Sequence, residues 1–366
     1  MSPASPATDR GRRTPLVHIT VLACVVLLAT ACTSGGRPAP TPRGGSASTE
    51  APSAPAGSPV GPGAAALASP SGTITLYTSV TQATVDAAVG GWTDAHPGVD
   101  VEVFRAPTAE VAARIATDLA SGGLRADVLW LTDPLSIAAY ADQGLLQAWT
   151  PPSTATIPAA YRTGTFFGTR LLNMVLAYNT TTTPAGPSDF VDLLDPEFQD
   201  AIGIPDPGFA GSAFAALAWF SQADGYGMTF YRDLKLHGAT QVKAPDDVTT
   251  GVAEGRFKVG MTLDNSVRTA VRKGSPIALL WPSRGAIAIY SPIAVVGAST
   301  NLAAADSFVD FTLSLPGQAL IAGTGWQPVV GPGGPPVLGP QVSPDWTAAF
   351  GRQKDLLASY RTIFGG

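Results

Sequence analysis

Residues 72–105, GTITLYTSVTQATVDAAVGGWTDAHPGVDVEVFR, are the stretch that decides the fold. The run begins with TITLYTSV, which is rich in β-branched and aromatic residues and predicts a strand. A helix is expected next, because apolar residues recur at Val85, Val89 and Trp92 before Pro97-Gly98 ends it. VDVEVFRA then predicts a second strand. A strand, a helix and a strand in this order predict a βαβ unit with parallel strands.

The same alternation continues beyond this unit. Residues 108–123, TAEVAARIATDLASGG, predict a helix with Thr108 in the capping position and Gly122-Gly123 at its end. ADVLWL, residues 126–131, predicts a third strand. Sites in such sheets lie at the carboxyl ends of the strands, so the turns that follow these strands are the candidate site.

The second half of the chain keeps the α/β pattern with different spacing. A long β segment is expected at 166–180, and a terminal helix is expected with Ser343 as its N-cap and Pro344 in its first turn. Further strands are predicted near 201–207, 256–265 and 286–297, and further helices near 211–225, 228–238, 246–255 and 304–323. The chain shows no internal repeat.

The amino terminus has the pattern of a bacterial export signal. Three arginines precede an apolar run at 16–29 that is too short to span a bilayer as a mature helix. LATAC, residues 28–32, matches a lipobox in outline, although Ala29 stands where leucine is usual. Cys24 is followed by more apolar residues and lacks a run of small residues before it, so we predict a signal peptide at 1–31 and lipid on Cys32. The alternative is an ordinary signal peptide in which Cys32 has no role.

Residues 32–70 predict a disordered Gly/Ala/Pro/Ser linker, because they contain no aromatic residue and cannot bury enough apolar surface to fold. At roughly 5 to 6 Å times the square root of about 38 residues, such a tether reaches about 35 Å on average. It would hold a folded domain near the outer face of the cell membrane.

Composition limits the partners of this chain. The net charge of −5 becomes about −7 once a leader with three Arg and one Asp is removed, so nucleic acid is an unfavourable partner. The two cysteines, Cys24 and Cys32, leave no disulfide for the folded part, which must rely on its core; 45% of the residues are hydrophobic. After the leader, no apolar segment is long enough to span a bilayer, so a membrane-spanning partner such as a permease would have to be a separate chain.

The order of segments, over about 290 residues, resembles the extracellular solute-binding proteins of bacterial ABC importers. The subgroup it resembles binds ferric ion, phosphonates, phosphosugars or thiamine. The segments that carry this resemblance are LYTS (76–79), PTAEVAARI (107–115), RADVLWLTDP (125–134), LLQAW (145–149), LAYNT (176–180), EGRFKVGMTLDN (254–265) and FVDFTLSLPGQALIAGTGWQPV (308–329).

The resemblance implies an α/β fold like that of type II periplasmic binding proteins, with two lobes joined by crossing hinge strands. Lobe 1 would comprise 71–176 and 288–330 and lobe 2 would comprise 177–287, with a linker and packing helix at 331–366. A ligand in the cleft would close the lobes, and a membrane permease with its ATPase would recognise the closed form. The chain is expected to be a monomer that needs no cofactor.

Candidate ligand residues follow the strands. Thr78 and Ser79 end the first strand and Thr108 follows the second; their hydroxyls suit either an anion or a helix cap. Asp133 follows the third strand, where it would meet a ligand amine or cap the helix at Pro134. The resemblance implies that the turn at Gly211, Ser212 and Ala213 presents N–H groups to an anion.

Further candidates lie later in the chain. Asp264, Asn265 and Ser266 follow a strand in GMTLDNSVR and look like polar specificity groups. Tyr290 would reach the cleft from the returning strand or would pack inside a lobe.

Iron is disfavoured by comparison with the resembled iron binders. Their His and Glu positions fall on Thr81 and Ala109, and their Tyr pair falls on Asn265 and Ser266, so the hard ligands of ferric ion are missing. A one-residue slip would place Glu110 at the Glu position. We predict no metal site.

The chain lacks the usual signs of an enzyme. After the leader it has only His96 and His237, and no H-E-x-x-H, G-x-S-x-G or P-loop motif occurs. The acidic cluster around Asp192 lacks the glycine of a calcium loop and is interpreted as a solvated face. No catalytic residue is predicted.

The sequence therefore predicts a substrate-binding lipoprotein that captures a small anionic solute, such as a phosphonate or phosphate ester. Two alternatives stay open. One is a ferric-ion or iron-complex binder of the same family. The other is a surface-tethered signalling or adhesion protein that uses the same fold.

Overall fold

The computed structural model describes residues 70–365, which form one compact unit. The predicted signal peptide, Cys32 and the predicted linker up to residue 69 lie outside these residues. Within 70–365, no helix combines the length and the apolar character that crossing a membrane requires.

Strands and helices alternate along the described chain. In order they are β1 (Gly72–Thr78), α1 (Gln82–Ala95), β2 (Val99–Arg105), α2 (Thr108–Ala120), β3 (Val128–Trp130), α3 (Pro134–Asp142), β4 (Phe167–Asn179), β5 (Ile202–Pro205), α4 (Gly211–Gln222), α5 (Gly227–Leu236), β6 (Thr240–Val242), α6 (Pro245–Ala253), β7 (Val259–Leu263), α7 (Asp264–Arg272), β8 (Ile277–Leu280), β9 (Ala286–Val295), α8 (Leu302–Leu313), α9 (Leu315–Gly323), β10 (Gln327–Pro328), β11 (Gln341–Val342), α10 (Trp346–Ala349) and α11 (Gln353–Phe364). Short 3-10 helices occupy Pro152–Thr156, Ala159–Tyr161, Phe190–Leu194 and Pro196–Phe198.

The sheet has two parallel parts joined by an antiparallel pair. Its strand order is β2-β1-β3-β9-β4-β7-β5-β6. β1 is parallel to β2 and β3, and β5 is parallel to β6 and β7. The long strands β4 and β9 run antiparallel to each other from Phe167 opposite Ile293 to Met174 opposite Ile287. We call the part that contains β1–β3 the first lobe and the part that contains β5–β7 the second lobe.

The expected α/β architecture with crossing strands is therefore confirmed. The first lobe has the βαβ order that its sequence predicts, and α1, α2 and α3 follow β1, β2 and β3 directly. The strands β4 and β9 connect the lobes, and β9 is buried along its whole length because protein covers both of its faces. The exact residue boundaries expected for the lobes stay a prediction.

Two predicted helix caps are wrong. The predicted terminal helix is two helices, because Gly351 takes a left-handed backbone conformation (φ +83°) between α10 and α11. Asp345 caps α10 by accepting the N–H of Ala348, whereas Ser343 donates its hydroxyl to the carbonyl of Ala288.

The second wrong cap is Thr108. This residue is itself the first residue of α2 and follows Pro107. Its hydroxyl pairs with that of Thr132 at 3.1 Å, and it therefore does not bond to an N–H group of its own helix.

Candidate functional site

A cavity of about 630 Å³ lies between the two lobes. The first lobe contributes the turns after β1, β2 and β3, and the second lobe contributes the turn after β5 together with faces of α6 and α7. Arg170 and Leu172 of β4 and Trp326 before β10 complete the wall. This volume is in the range of sites that hold small organic ligands.

Six of the eleven predicted ligand residues line this cavity. They come from four different elements or turns of the two lobes and are Ser79, Thr108, Gly211, Ser212, Asn265 and Ser266. The sequence-based choice of strand ends and helix starts therefore leads to one place in the structure. Whether these residues bind a ligand stays a prediction.

The other five predicted residues do not line the cavity. Thr78 donates its hydroxyl to the carbonyl of Trp130 inside the first lobe. Tyr290 is buried and packs against Tyr161 and Trp346, as in the alternative given for it above. The other three, Asp133, Ala213 and Asp264, are also buried.

Hydroxyl groups form a connected chain on the first-lobe side. The Ser79 hydroxyl lies 3.3 Å from that of Thr132, which in turn lies 3.1 Å from the Thr108 hydroxyl. Ser79 Oγ also accepts the N–H of Thr132 at 3.1 Å. Because hydroxyl protons rotate, this chain can turn donors towards a ligand oxygen.

Arg170 is the most unusual group in the wall. Its side chain is fully buried, with an exposed fraction of 0%. Nη1 donates to Thr84 Oγ1 at 3.3 Å, whereas Nε and Nη2 have no hydrogen-bond partner in the described chain. The guanidinium lies over the ring of Trp326, 4.3 Å from its centroid. None of the four ion pairs among residues 70–365 includes Arg170.

The electrostatics of the wall around Arg170 and Arg105 favour an anion, whereas the carboxylates of Asp246 and Glu254 lie on the second-lobe side. Burial and, to a smaller extent, the positive charge of Arg105 together lower the pKa of Arg170 to about 9. Arg105 also lines the cavity, is solvent-exposed, and donates its Nε–H to the carbonyl of Val80 at 2.7 Å. Two cations without a carboxylate partner therefore share one wall.

A backbone irregularity helps to place Arg170. The register between β4 and β9 shifts between Gly168 and Arg170, which is the sign of a β-bulge. Bulges change the direction of side chains near functional sites. The bulge lies next to the position from which Arg170 reaches the cavity wall.

Helix starts add donors to the same wall. α4 begins at Gly211, and Gly211 and Ser212 line the cavity. The first N–H groups of a helix have no partner within the helix, and they carry partial positive charge. They complement an anion that Arg170 would also bind.

The lobes touch each other around the cavity. The N–H of Ala109 at the start of α2 donates to the carbonyl of Phe209 before α4, at 3.3 Å. Asn265 Nδ2 of α7 donates to the carbonyl of Gly325 at 2.7 Å. These two hydrogen bonds join the first lobe to the second.

Asp133 is buried behind the cavity wall, next to Gly211 at the start of α4. Its Oδ1 caps α3 by accepting the Ser136 N–H at 2.7 Å, so the cap predicted as its alternative role is present. Its Oδ2 is buried without a partner, and burial raises the pKa of this carboxyl to about 7. A methyl group on Gly211 would overlap this oxygen.

The remaining polar candidates have protein partners. Asp264 pairs with Arg268 at 3.3 Å, and burial raises the pKa of its carboxyl. The Ser266 hydroxyl hydrogen-bonds Asp246. Within the described residues, no group of three or more His, Cys, Asp or Glu side chains is placed to hold a metal ion.

Sequence reasoning missed the residues that give the wall its charge. Arg170, Arg105, Trp326 and Thr132 line the cavity but were not among the predicted ligand residues. A signal for Arg170 exists in FGTRLLNMVLAYN, the sequence of β4, where it is the only charged residue. A charged side chain in a strand that protein covers on both faces is buried, and a buried charge needs hydrogen bonds or a counter-charge.

A family model described as bacterial extracellular solute-binding protein matches residues 74–327. Among curated proteins, an uncharacterized protein of Haemophilus influenzae is 29% identical over 136 residues. That match covers 37% of this chain and only 39% of the relative.

Solved structures share the fold along almost their whole length. Iron-bound HitA from Pseudomonas aeruginosa has a TM-score of 0.69 and 24% identity over 80% of this chain and 99% of its own. AfuA from Actinobacillus pleuropneumoniae with fructose-6-phosphate has a TM-score of 0.73 and 20% identity over 80% and 98%. The ferric binding protein from Campylobacter jejuni has a TM-score of 0.69 and 18% identity over 79% and 99%.

These neighbours are two-lobed type II periplasmic binding proteins, and the chain has their fold. The family match covers 254 of the 366 residues, counted from 74 through 327. The same range contains all eleven predicted ligand residues and every residue that lines the cavity. The chain therefore belongs to the bacterial extracellular solute-binding proteins.

Proposed function

We propose that this chain is the substrate-binding lipoprotein of an ABC importer that captures a small anionic solute, such as a phosphonate or phosphate ester, and delivers it to a membrane permease. The observation that carries the proposal is Arg170. It is a fully buried cation in the cavity wall with Nε and Nη2 unpaired and no carboxylate partner.

An oxyanion would satisfy the free edge of this guanidinium. The Nε and Nη2 groups donate side by side, which suits two oxygens of a phosphate, phosphonate or carboxylate. A buried charge without a counter-charge is costly, and a ligand that brings the counter-charge removes that cost. Arg105, the hydroxyl chain and the start of α4 supply further donors around the same anion.

The iron alternative has less support in this wall. The cavity residues Thr81, Asn265 and Ser266 offer neutral hydroxyl and amide groups, which are poor ligands for a trivalent cation. The positive charges of Arg105 and Arg170 also repel a metal ion. An iron complex with an anionic ligand would bring its own negative charge to this wall, so ferric citrate is among the compounds tested below.

The test is thermal unfolding of the full chain with phosphonates, phosphosugars, ferric citrate, thiamine and polyamines. A ligand at about 1,000 times its dissociation constant adds roughly 4 kcal/mol to the free energy of unfolding. We expect a rise in unfolding temperature with a phosphonate or phosphate ester and none with polyamines.

Arg170→Met tests the role of the arginine in this experiment. Loss of a buried charge partner costs about 2 to 5 kcal/mol, so affinity should fall by about 30-fold or more. The matched control is Arg232→Met, which removes an exposed arginine of α5 outside the cavity and should leave affinity unchanged. Equal affinity in Arg170→Met would overturn the proposal. No response to any compound, in folded protein free of ligand, would favour the signalling or adhesion alternative.

Lipid attachment at Cys32 belongs to the same proposal and has its own test. We expect the processed protein to begin at Cys32 and to carry acyl groups detectable by mass spectrometry of the amino-terminal peptide. Cys32→Ala should release the protein from the membrane fraction, whereas Cys24→Ala should not. A Cys32→Ala protein that stays with the membrane would contradict lipid anchoring.

A further inference from the structure

Asp133 is a buried carboxyl that the proposed anion site does not use. Its exposed fraction is 0%, and it does not line the cavity. Oδ1 accepts the N–H of Ser136 at 2.7 Å and so caps α3, whereas Oδ2 has no hydrogen-bond partner in the described chain. Burial without a partner disfavours the ionised form of a carboxyl. The protonation of Asp133 therefore depends on what covers this oxygen.

Residues of both lobes surround the free oxygen. A methyl group on Gly211, at the start of α4 in the second lobe, would overlap Oδ2. The same methyl group would lie 2.7 Å from Thr132 Oγ1 and 2.8 Å from Thr108 Oγ1, which belong to the first lobe. Gly211 thus covers the oxygen from the opposite lobe. Separating the lobes would remove this cover and let water reach Oδ2.

The surroundings of Asp133 supply no positive charge. Asp133 forms no ion pair in the described chain, and α2 and α4 face its free oxygen with the Thr108 hydroxyl and with Gly211, which carry no charge. The titratable groups that sense its charge are Tyr140 of α3 and Tyr290 of β9. Burial, together with the negative charge of Asp133, raises the pKa of both tyrosines, so both stay neutral at neutral pH.

We propose that Asp133 is a positioning residue that takes up a proton when the second lobe closes over it, so that capture of the anionic cargo is coupled to the uptake of one proton. It acts through Gly211 and contacts no ligand. Because a proton and lobe closure favour each other, acid should strengthen capture and alkali should weaken it. This inference rests on the proposed function, because the lobes must close on an anion.

The direction of the pH effect follows from the two states of the carboxyl. With water at Oδ2 the pKa should lie near its ordinary value of 3.8, whereas burial under Gly211 raises it to about 7. Between these values, closure takes up a proton, and affinity should therefore rise as pH falls from about 7 to about 4. Above pH 7 both states are ionised, so closure carries the whole cost of burying the charge.

The experiment measures the affinity of the full chain for sulfate and for methylphosphonate by calorimetry at pH 5 and pH 8. The ratio of wild-type affinity to Asp133→Asn affinity at one pH cancels the titration of the ligand and of Arg170. We expect this ratio to be about tenfold or more higher at pH 5 than at pH 8. Titrations at pH 5 in buffers of different ionisation enthalpy should show that the wild-type chain takes up about one proton more than the variant.

Two variants and one control separate the charge from the helix cap. Asparagine and serine both cap helices well, so Asp133→Asn and Asp133→Ser keep the cap of α3 without the charge. Both should lose the pH dependence. Asp345→Asn is the matched control, because Asp345 is an exposed cap of α10 outside the cavity wall, and it should keep the dependence. Circular dichroism at each pH confirms that the variants are folded.

The outcomes separate this inference from the proposed function. If the affinity ratio is the same at both pH values, or if the wild-type chain takes up no more protons than Asp133→Asn, the proton coupling is wrong while anion binding stands. A pH dependence that persists in both neutral variants would also overturn it. If neither anion binds and Arg170→Met changes nothing in thermal unfolding, the proposed function fails and this inference fails with it.

Discussion

Arg170 and Asp133 are two buried ionisable residues near the cavity wall; Arg170 has two side-chain polar atoms without a partner and Asp133 has one. Fully buried charges without partners are rare because they lower the stability of the folded state. Functional sites are where such groups are tolerated. Both residues therefore give stability predictions that do not depend on knowing the ligand.

Arg170→Met should stabilise the ligand-free protein. Methionine has a similar length and removes a buried charge that lacks a counter-ion, although it also loses the contact with the Trp326 ring. We expect the free energy of unfolding in urea to rise by about 1 to 3 kcal/mol. Arg232→Met, at an exposed position of α5 with no ion pair among the described residues, should change it by less than about 0.5 kcal/mol. A destabilised Arg170→Met protein would mean that the charge is compensated.

Asp133→Asn should change how stability depends on pH. The folded pKa of about 7 lies above the unfolded value of 3.8, so the folded state loses stability as pH rises from about 4 to 7 and the cost is complete above pH 7. Asparagine keeps the cap and removes the charge. The gain in unfolding free energy should be on the order of 2 to 4 kcal/mol at pH 8 and smaller at pH 5.

The control for this prediction is Asp345→Asn. Asp345 also caps a helix through Oδ1, but it is exposed. Its substitution should shift stability by a similar small amount at both pH values. A gain for Asp133→Asn that is equal at pH 5 and pH 8 would show that charge is not its cause.

At the scale of elements, α4 is placed by a glycine. A methyl group on Gly211 would overlap Asp133 Oδ2 and lie 2.7 Å from Thr132 Oγ1 and 2.8 Å from Thr108 Oγ1. Only glycine lets the start of α4 approach the turns after β2 and β3 this closely. The approach of these elements is what closes the cavity on this side.

Gly211→Ala should therefore keep the lobes apart. Overlap of this kind costs about 1 to 3 kcal/mol, and separating the lobes relieves it. We expect a larger radius of gyration in X-ray scattering and weaker ligand binding. Gly90→Ala, inside α1 with no atom within 4 Å of the new methyl group, should leave both unchanged and raise stability by about 0.5 to 1 kcal/mol. An unchanged radius for Gly211→Ala would contradict this role.

The sequence predicts the secondary-structure elements better than the surroundings of individual side chains. The strand-helix alternation of 72–131 and the long strand β4 follow from local apolar spacing, which depends only on neighbouring residues. The break at Gly351 depends on a backbone angle that the helical spacing of 344–364 does not reveal. Tyr290 was placed correctly in its strand and Asp133 correctly after its strand, but their burial depends on Trp346 and Gly211, which are distant in sequence.

At the scale of the whole molecule, the larger of two core clusters spans both lobes, and the smaller one lies around α6, α7 and β8 of the second lobe. The larger cluster includes Ile74 of the first lobe, Ile204 of the second lobe and Tyr360 of α11. After β4 and β9 have crossed between the lobes, the chain after β10 also returns towards the second lobe, where α11 contacts α4 and α5. Because this core cluster spans both lobes, we expect the unfolding of one lobe to disrupt the core of the other.

We accordingly expect one cooperative unfolding transition in the ligand-free protein. Far-ultraviolet circular dichroism and tryptophan fluorescence should give coincident curves against urea, as they do for a two-state protein. The tryptophans report on both lobes, since Trp92 and Trp130 are in the first and Trp219 is in α4. Two resolved transitions would show that the lobes unfold independently despite the shared core.

If Arg170 binds the anion as proposed, its unneutralised guanidinium also bears on how an importer would distinguish loaded from vacant receptors. Closing a vacant cleft withdraws a positive charge from water, whereas closing a loaded cleft withdraws a neutral pair. Vacant receptors are then biased towards the open shape, and the closed shape becomes a dependable report of occupancy. An importer that responds only to the shape of its receptor would then not hydrolyse ATP for vacant receptors. One side chain in β4 would supply this discrimination.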